Sequence, residues 1–276
     1  MIQLGQYQTL TIARETPQGF YLADETGREV LLPNAYRRRS MAPGDDLTVF
    51  VYADHEGRPV ATTEQPLLTV GTAAYLRVTD VNTHGAFFDW GLPKELLVPY
   101  RNQPFRPAVG QSAVVYLYLD EASQRLAGTL NLKKFFAELN DGSLRQGQEV
   151  SILVANRSEL GFRVVINQAF WGLVYENEAE DLAIGQTRRG YLKPLRPDGK
   201  LDVSLHPIGA EAIEPNAQKL LDHLEQAGGF LPLTDKSDPQ RIRNELGMSK
   251  KLFKKALGAL YRQRLVQLEE EGVRLG

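Results

Sequence analysis

The chain contains no cysteine among its 276 residues. This absence excludes disulfide bridges, thiolate metal sites and cysteine nucleophiles, and it favours a reducing compartment. No apolar run approaches the roughly 18 to 20 residues that are needed to cross a bilayer. Residues 1–5 have no basic start followed by an apolar segment, as a secretion signal would. We therefore expect a cytoplasmic protein that has no membrane partner.

The motifs of several common enzyme classes are also missing. The four histidines are scattered, with no HxH or HxxxH spacing that would build a metal site. There is no GxxxxGK loop followed by Ser or Thr, and no GxSxG nucleophile elbow. The carboxylates Asp54 and Asp120 occur one in each of two related segments, which is typical of turn or binding residues rather than of an acid and base pair. The sequence therefore predicts a protein that is not an enzyme and has no cofactor or metal.

Charge is distributed unevenly along the chain. The formal net charge is −2 at pH 7, which argues against a surface covered with phosphate-neutralising groups. Residues 241–264 contain eight basic side chains and one acid, Glu245, a net charge of +7 that leaves −9 for the remainder. A polyanion would therefore have to contact local patches, and this segment is the densest of them.

A short pattern occurs three times in the first three quarters of the chain. A strand that begins with glycine is followed by a second apolar strand at 19–24 with 29–33, at 85–90 with 95–99, and at 161–166 with 171–175. Sixty-six residues separate Gly19 from Gly85, and 76 separate Gly85 from Gly161. Internal repetition at such a period predicts tandem copies of one small β-domain.

Strand and turn signals within the first copy indicate its fold. The predicted strands are 7–15, 19–24, 29–33, 46–54 and 59–63, with a helical turn over 34–39. Five strands with a helical insertion after the third are the outline of an OB-type barrel. We therefore predict a mainly β protein with three tandem OB-fold, five-stranded barrels at 1–66, 67–138 and 139–210.

The run 84–90 in the second copy provides the first functional clue. Alternation along a strand places Phe88 and Trp90 on one face and Phe87 on the other. Since only one face can join a core, Phe87 is left on the wet face, near His84. An aromatic ring in that position is suited to stacking on a flat nucleobase.

These residues resemble an S1 RNA-binding domain, which is a branch of the OB fold. The resemblance depends on Gly-Ala-Phe at 85–87, on Glu-Leu-Leu-Val-Pro at 95–99, and on Asp120 followed by Arg125 in the next hairpin. In that family, exposed aromatic side chains on strands two and three stack on bases, and an Asp with a Lys or Arg after strand four completes the site. The resemblance therefore implies RNA-binding residues at His84, Phe87, Asp120 and Arg125.

The other two copies match the S1 pattern less fully. The first copy offers Tyr21 as a stacking ring and Arg58 as a basic group. In the third copy Arg163 occupies the position of Phe87, and Lys200 is the one plain match. The third copy could hold a strand by charge and guanidinium stacking. The alternative is that it has lost binding and acts as a spacer or docking surface.

From Pro215 onward the apolar residues recur at helical spacing. Asp238, followed by proline, predicts the start of a second helix, and Ser249 predicts the cap of a third. A hairpin follows at 266–275, where two apolar runs flank three glutamates and a glycine. Three helices with a terminal hairpin predict an α+β winged helix-turn-helix domain at 211–276.

The third of these helices combines an apolar stripe with a basic face. The predicted stripe consists of Leu252, Phe253, Ala256, Leu257, Leu260 and Tyr261, and the opposite side carries Lys250, Lys251, Lys254 and Lys255. In DNA-binding winged helices the third helix enters the major groove. Lysines offer point charge with little base discrimination, and glutamates at the wing tip would repel phosphates. We expect a sequence-tolerant RNA contact, with a protein-docking module or a solvated lysine face as alternatives.

Three S1-like units followed by a winged helix resemble one family in particular, the conserved virulence factor B (YitL) proteins. The resemblance covers essentially the whole chain and depends on domain order. It implies an RNA-binding, regulatory role in a bacterial cytoplasm and supplies no catalytic residues. We therefore predict single-stranded RNA as the partner. A winged-helix regulator that binds duplex DNA and a scaffold that docks protein are the two alternatives.

Overall fold

The computed structural model describes residues 1–179, 181–207, 215–262 and 265–276. The chain forms two compact units, the first made of 1–141, 151–188 and 197–201, and the second made of 142–150, 189–196 and 202–276. No helix among the described residues is long and apolar enough to cross a membrane. The predicted domain boundaries after residues 66, 138 and 210 stay a prediction, and the last of them lies outside the described residues.

The first copy is a closed five-stranded barrel with the strand order β1-β2-β3-β5-β4. Its strands are β1 (Gln6–Thr16), β2 (Gly19–Ala23), β3 (Glu29–Pro33), β4 (Asp46–Ala53) and β5 (Pro59–Thr62). A 3₁₀ turn at Asn34–Tyr36 follows β3, and the parallel pair Leu31 and Val60 joins β3 to β5. This confirms the predicted strands of an OB-type barrel to within one residue at each end, and the helical turn predicted over 34–39 is confined to Asn34–Tyr36.

The glycine that begins the second strand of each copy is required by backbone packing. A β-carbon on Gly19, Gly85 or Gly161 would lie 2.0 to 2.2 Å from a carbonyl oxygen of the paired strand. The φ angles at these positions, 148°, 154° and 141°, also disfavour any residue with a side chain. The glycine of the threefold pattern therefore marks the place where two strands approach most closely.

The second copy has the same strand neighbours but is an open sheet. Its strands are β6 (Ala73–Asn82), β7 (Gly85–Asp89), β8 (Leu96–Pro99), β9 (Ser112–Asp120) and β10 (Arg125–Thr129), in the order β10-β9-β6-β7-β8. The edges of this sheet, β8 and β10, correspond to β3 and β5 of the first copy. The two strands are in contact but are not paired in a ladder, and we call the place where they meet the β8–β10 seam.

The third copy returns to a closed barrel in the order β11-β12-β13-β15-β14. Its strands are β11 (Glu149–Ser158), β12 (Gly161–Ile166), β13 (Phe170–Tyr175), β14 (Thr187–Leu192) and β15 (Leu201–Ser204). The three copies therefore have one topology, as the internal repeat predicts. The second copy differs because its strands β8 and β10 are not paired in a ladder.

Aromatic packing joins the first copy to the second. Phe50 and Tyr52 of β4 meet the indole of Trp90 edge-on, with ring centroids 5.8 and 6.5 Å away. Two polar contacts accompany the rings, since the Val70 N–H donates to the carbonyl oxygen of Gly5 (2.9 Å) and Lys94 Nζ donates to that of Asp54 (2.6 Å). Edge-to-face pairs contribute about 0.5–1.5 kcal/mol each beyond the area they bury, so the two copies share one core.

A side-chain amide joins the second copy to the third. The Ala73 N–H donates to Gln168 Oε1 (2.8 Å), and Gln168 Nε2 donates to the Ala73 carbonyl oxygen (3.0 Å). An apolar cluster lies alongside, in which Phe136 meets Trp171 edge-on with ring centroids 5.5 Å apart. Gln168 therefore pairs with a strand of the second copy as another strand would.

The C-terminal segment contains three helices and a small sheet among its described residues. These are α1 (Pro215–Gln226), α2 (Pro239–Leu246), α3 (Lys250–Arg262) and β16 (Phe230–Leu231), β17 (Val266–Leu268) and β18 (Val273–Leu275), with the sheet order β16-β18-β17. The Asp238 carboxylate accepts from the N–H groups of Gln240 (2.9 Å) and Arg241 (3.1 Å). Gly247 ends α2 in the left-handed conformation with φ 65°. This confirms the winged-helix fold and the predicted cap.

The apolar stripe predicted for α3 is wrong at its two edges. Phe253, Ala256 and Leu260 are fully buried, whereas Leu252 is 39% exposed and Tyr261 is 55% exposed. The core of a three-helix unit covers only part of the helix circumference, so residues that flank the stripe stay in solvent.

Candidate nucleic-acid interface

The alternation along β7 places Phe87 as the sequence predicts. Phe88 is fully buried and Trp90 is 3% exposed, whereas Phe87 on the opposite face is half-buried. Phe87 pairs with Leu97 of β8. In the described part of the chain no other ring or guanidinium group stacks on Phe87, so its face is open to a ligand.

A cavity of about 270 Å³ lies over this face of the second copy. Leu97 of β8 and Arg125 of β10, from the two sides of the β8–β10 seam, both line it together with Phe87. The first copy contributes the facing wall, which consists of Tyr52, Ala53, His55, Glu56 and Gly57. The cavity is therefore formed by two copies of the repeat and is large enough to admit a flat ring.

Two cationic side chains line the cavity, Lys94 and Arg125. Burial lowers the pKa of Lys94 from its ordinary value, and the charge of Arg125 lowers it further against the opposing effect of Asp54. Arg125 is exposed, and in the described residues it makes no ion pair or side-chain hydrogen bond. The cavity thus brings two cations together beside an open aromatic ring, and two carboxylates, Glu56 and Glu95, line it as well.

Asp120 is the last residue of β9, and His84 lies in the turn between β6 and β7. The Asp120 carboxylate accepts from the N–H (2.9 Å) and Oγ (3.1 Å) of Ser123, and it pairs with Arg101 (2.7 Å). The Ser123 bonds chiefly, with the Arg101 charge adding to them, hold the pKa of Asp120 below its usual range. His84 is exposed, and its N–H donates to Asn82 Oδ1 (2.9 Å). Asp120 therefore holds the turn that leads into Arg125.

In the first copy the equivalent ring is partly covered. Tyr21 is half-buried, and the Arg14 guanidinium carbon lies 3.9 Å from the centre of its ring. Glu29 holds Arg14 in this place through an ion pair of 2.6 Å. One face of the Tyr21 ring is therefore occupied by a cation, which leaves the other face for a ligand.

Arg58 forms ion pairs with two acidic residues of its own turn. It pairs with Asp54 (2.8 Å) and with Glu56 (2.8 Å). Burial pushes the pKa of Asp54 upward, but hydrogen bonds from Arg58 and from the turn N–H groups prevail and lower it. The turn is thus a compact charged hairpin in which both carboxylates face one guanidinium.

In the third copy Arg163 is engaged by protein groups. Its guanidinium carbon lies 4.2 Å from the centre of the Trp171 ring, and Nη2 pairs with Glu138 (2.8 Å). The Lys200 N–H donates to Asp198 Oδ1 (3.2 Å), and its side chain is exposed. The placement of Arg163 favours the alternative in which the third copy acts as a spacer or docking surface.

The lysines of α3 differ in their surroundings. Lys250 Nζ donates to the Ser237 carbonyl oxygen (2.8 Å), and Lys254 lies 3.5 Å from Asp235. Lys251 and Lys255 are exposed. On the wing, Arg274 pairs with Glu269 (2.6 Å), which offsets one of the three acidic groups there. The helix therefore presents a basic face in which Lys250 also supports the fold.

Sequence reasoning missed Lys94 and His55 at the cavity, and Arg14 and Trp171 in the other copies. Each of these residues contacts strands or copies that are distant in the sequence, so no local spacing of residues predicts its role. Among the described residues no group of three His, Asp or Glu side chains could hold a metal ion.

The barrels, the open aromatic ring and the winged helix define a class, the nucleic-acid-binding proteins built from S1 modules. The S1 domain family matches residues 4–64 and 70–131, and the CvfB-like winged helix domain family matches 218–275. The chain therefore contains S1 domains and a winged helix of the CvfB type.

The alignments with curated relatives cover most of the chain. The conserved virulence factor B of Staphylococcus epidermidis ATCC 12228 is 29% identical over 234 residues, covering 82% of this chain and 78% of that protein. The protein of the same name from Staphylococcus aureus N315 is 28% identical over 240 residues with the same coverage. A crystal structure of a multidomain protein with nucleic acid binding domains from Streptococcus pneumoniae is 27% identical, covers 99% of this chain and 98% of its own, and has a TM-score of 0.44.

Proposed function

We propose that this protein is a non-enzymatic regulator of the bacterial cytoplasm that binds single-stranded RNA through its first two copies. The observation that carries the proposal is the half-buried ring of Phe87, which lines a cavity together with Lys94 and Arg125. A base stacked on an aromatic side chain contributes about 1–3 kcal/mol and requires no particular sequence. Tyr21 of the first copy provides a second ring with one covered face.

A single strand fits this arrangement better than a duplex does. Stacking on Phe87 requires a base whose face is free, and the bases of a duplex are already stacked on one another. The cavity is also walled by residues of two copies, so a ligand must insert a ring into it. Few cations are available there, which means that stacking rather than charge provides most of the binding energy.

The lysine face of α3 serves as a second, sequence-tolerant contact. Lys251, Lys254 and Lys255 are exposed on this helix, and lysine binds phosphate as a point charge. A duplex DNA regulator is the other candidate function, because winged helices place this helix in the major groove. The acidic wing disfavours that candidate, since Glu270 and Glu271 are exposed at its tip.

The test is the salt dependence of binding to a labelled 12-nucleotide RNA of mixed sequence and to a duplex DNA of matched length. The full chain is compared with a variant in which Lys251, Lys254 and Lys255 are replaced by Gln. For single strands the log–log slope falls by about 0.7 per phosphate contacted, so one phosphate held by Lys94 and Arg125 gives about −0.7, and three phosphates contacted by the lysines of α3 add about −2. Lys236→Gln, at an exposed lysine outside α3, controls for the loss of one positive charge, so its effect is compared with one third of the effect of the triple variant.

We expect preference for the single strand, with binding that persists in the triple variant at a shallower slope. Preference for the duplex, with binding that disappears in the triple variant, would refute the proposal in favour of a DNA regulator. Weak, non-saturating binding of both probes would refute it in favour of a protein-docking scaffold.

A further inference from the structure

The wall that the first copy contributes to the Phe87 cavity is one tight turn. Residues 54–58, which we call the bridging turn, join β4 to β5, and His55, Glu56 and Gly57 line the cavity. The Asp54 carboxylate accepts from the N–H groups of Glu56 (2.9 Å) and Arg58 (2.9 Å). The turn is therefore internally braced and presents a fixed surface to the second copy.

Lys94 is held against this turn by both copies. Its carbonyl oxygen accepts from the indole N–H of Trp90 (2.6 Å), and that indole is buried against Phe50 and Tyr52 of the first copy. Its Nζ donates to the Asp54 carbonyl oxygen (2.6 Å). One Lys94 proton is thus used to bridge the copies, and two remain for a ligand.

The far end of the bridging turn is close to the ring of the first copy. Arg58 follows the cavity-lining residues in sequence, and its pKa is raised chiefly by its hydrogen bond to Asp54. The charges of Asp54 and Glu56 add to this effect, and the hydroxyl of Tyr21 contributes a smaller part. Tyr21 of β2 pairs with Leu31 of β3, and Leu31 pairs with Val60 of β5, two residues after Arg58. The bridging turn therefore leads into the strand that lies one strand away from Tyr21, while His55 to Gly57 line the cavity with Phe87.

We propose that the first two copies bind one RNA strand at a single composite site, in which Lys94 and the bridging turn complete the Phe87 cavity and lead the strand to Tyr21. This rests on the proposed function and adds the path of the strand. A base stacks on Phe87, and the adjacent phosphate is held between Lys94 and Arg125. The next nucleotides pass over the bridging turn to the free face of Tyr21.

The two cations at the cavity provide the donors that a phosphate needs. Lys94 is partly withdrawn from solvent, and a charge-assisted bond to a phosphate is stronger where water is excluded. Arg125, which makes no ion pair within the described ranges, offers a planar donor group beside it. Two carboxylates also line the cavity, Glu95 and Glu56, and Arg58 partly neutralises Glu56 (2.8 Å).

The decisive variant is one that should gain affinity. Glu56→Lys, made in the full chain, replaces an acid that lines the proposed path with a base, and a misfolded protein would not bind more tightly. We expect binding of the 12-nucleotide RNA to tighten about fivefold, the size of an exposed charge interaction near 1 kcal/mol. The matched control is Glu25→Lys, which makes the same charge change at an exposed turn residue of the first copy and should tighten binding less than about twofold.

A second variant tests the loss. Lys94→Met keeps the aliphatic stem and removes the charge, and we expect binding to weaken at least about tenfold. Equal effects of Glu56→Lys and Glu25→Lys, or unchanged binding in Lys94→Met, would overturn the composite site. The proposed function has its own readout in Phe87→Ala. If that variant loses binding while the charge variants behave as the parent does, the RNA function stands and the path across the first copy is refuted.

Discussion

Truncation of Phe87 separates a binding role from a structural one. The ring is half-buried, and the cavity beside it holds no other described ring stacked on it. Phe87→Ala should remove one stacked base, about 1–3 kcal/mol, which weakens binding of the 12-nucleotide RNA about 5- to 150-fold. Only part of the ring is packed, so the variant should lose about 1–2 kcal/mol of unfolding free energy.

Phe88 provides the internal standard for this measurement. It is the next residue along β7 and is fully buried, so Phe88→Ala should cost about 3–5 kcal/mol of stability. Phe87→Tyr keeps a ring and should bind as the parent does. Affinity is measured by fluorescence anisotropy and stability by urea unfolding. The reasoning is refuted if Phe87→Ala binds RNA like the parent, or if it unfolds as readily as Phe88→Ala.

Two further predictions concern the third copy and the acid range. Arg163→Met should change RNA affinity by less than about twofold, because Glu138 and Trp171 already engage the guanidinium; a tenfold loss by anisotropy would make the third copy a binding site. The hydrogen bond from the Thr26 hydroxyl lowers the pKa of Asp24, and backbone N–H groups lower it further. Together these bonds outweigh burial, which raises the pKa. Its contribution to stability is therefore complete above about pH 4 and is lost as the pH falls towards the lowered value. Asp24→Asn should flatten the acid limb of a melting-temperature profile, and an unchanged limb would contradict this.

The features that the sequence predicts well are local ones. The position of Phe87 follows from alternation along one strand, and the Asp238 cap follows from three adjacent residues. The threefold glycine follows from repetition, although its cause, a carbonyl oxygen within 2.2 Å of the β-carbon position, is visible only in the folded chain. Such patterns are readable because the interacting groups are neighbours or are repeated.

The features that could not be predicted are pairings between distant residues. Lys94 reaches Asp54 across 40 positions, and Arg163 reaches Glu138 across 25. No sequence pattern around either residue of a pair identifies its partner, because each contact depends on how one copy packs against the next. The composite cavity belongs to this kind, since an S1 motif describes a site within one copy.

The amide of Gln168 has a consequence for the joint between the second and third copies. It meets both the N–H and the C=O of Ala73, so it works as a peptide group supplied by a side chain. A carboxylate of the same shape could accept from the Ala73 N–H but could not donate to the carbonyl, and two oxygens would then face each other. The joint thus depends on the chemical difference between an amide and an acid, because the change of one NH₂ group to oxygen would turn one of its two hydrogen bonds into a repulsion while the aromatic contacts stayed intact.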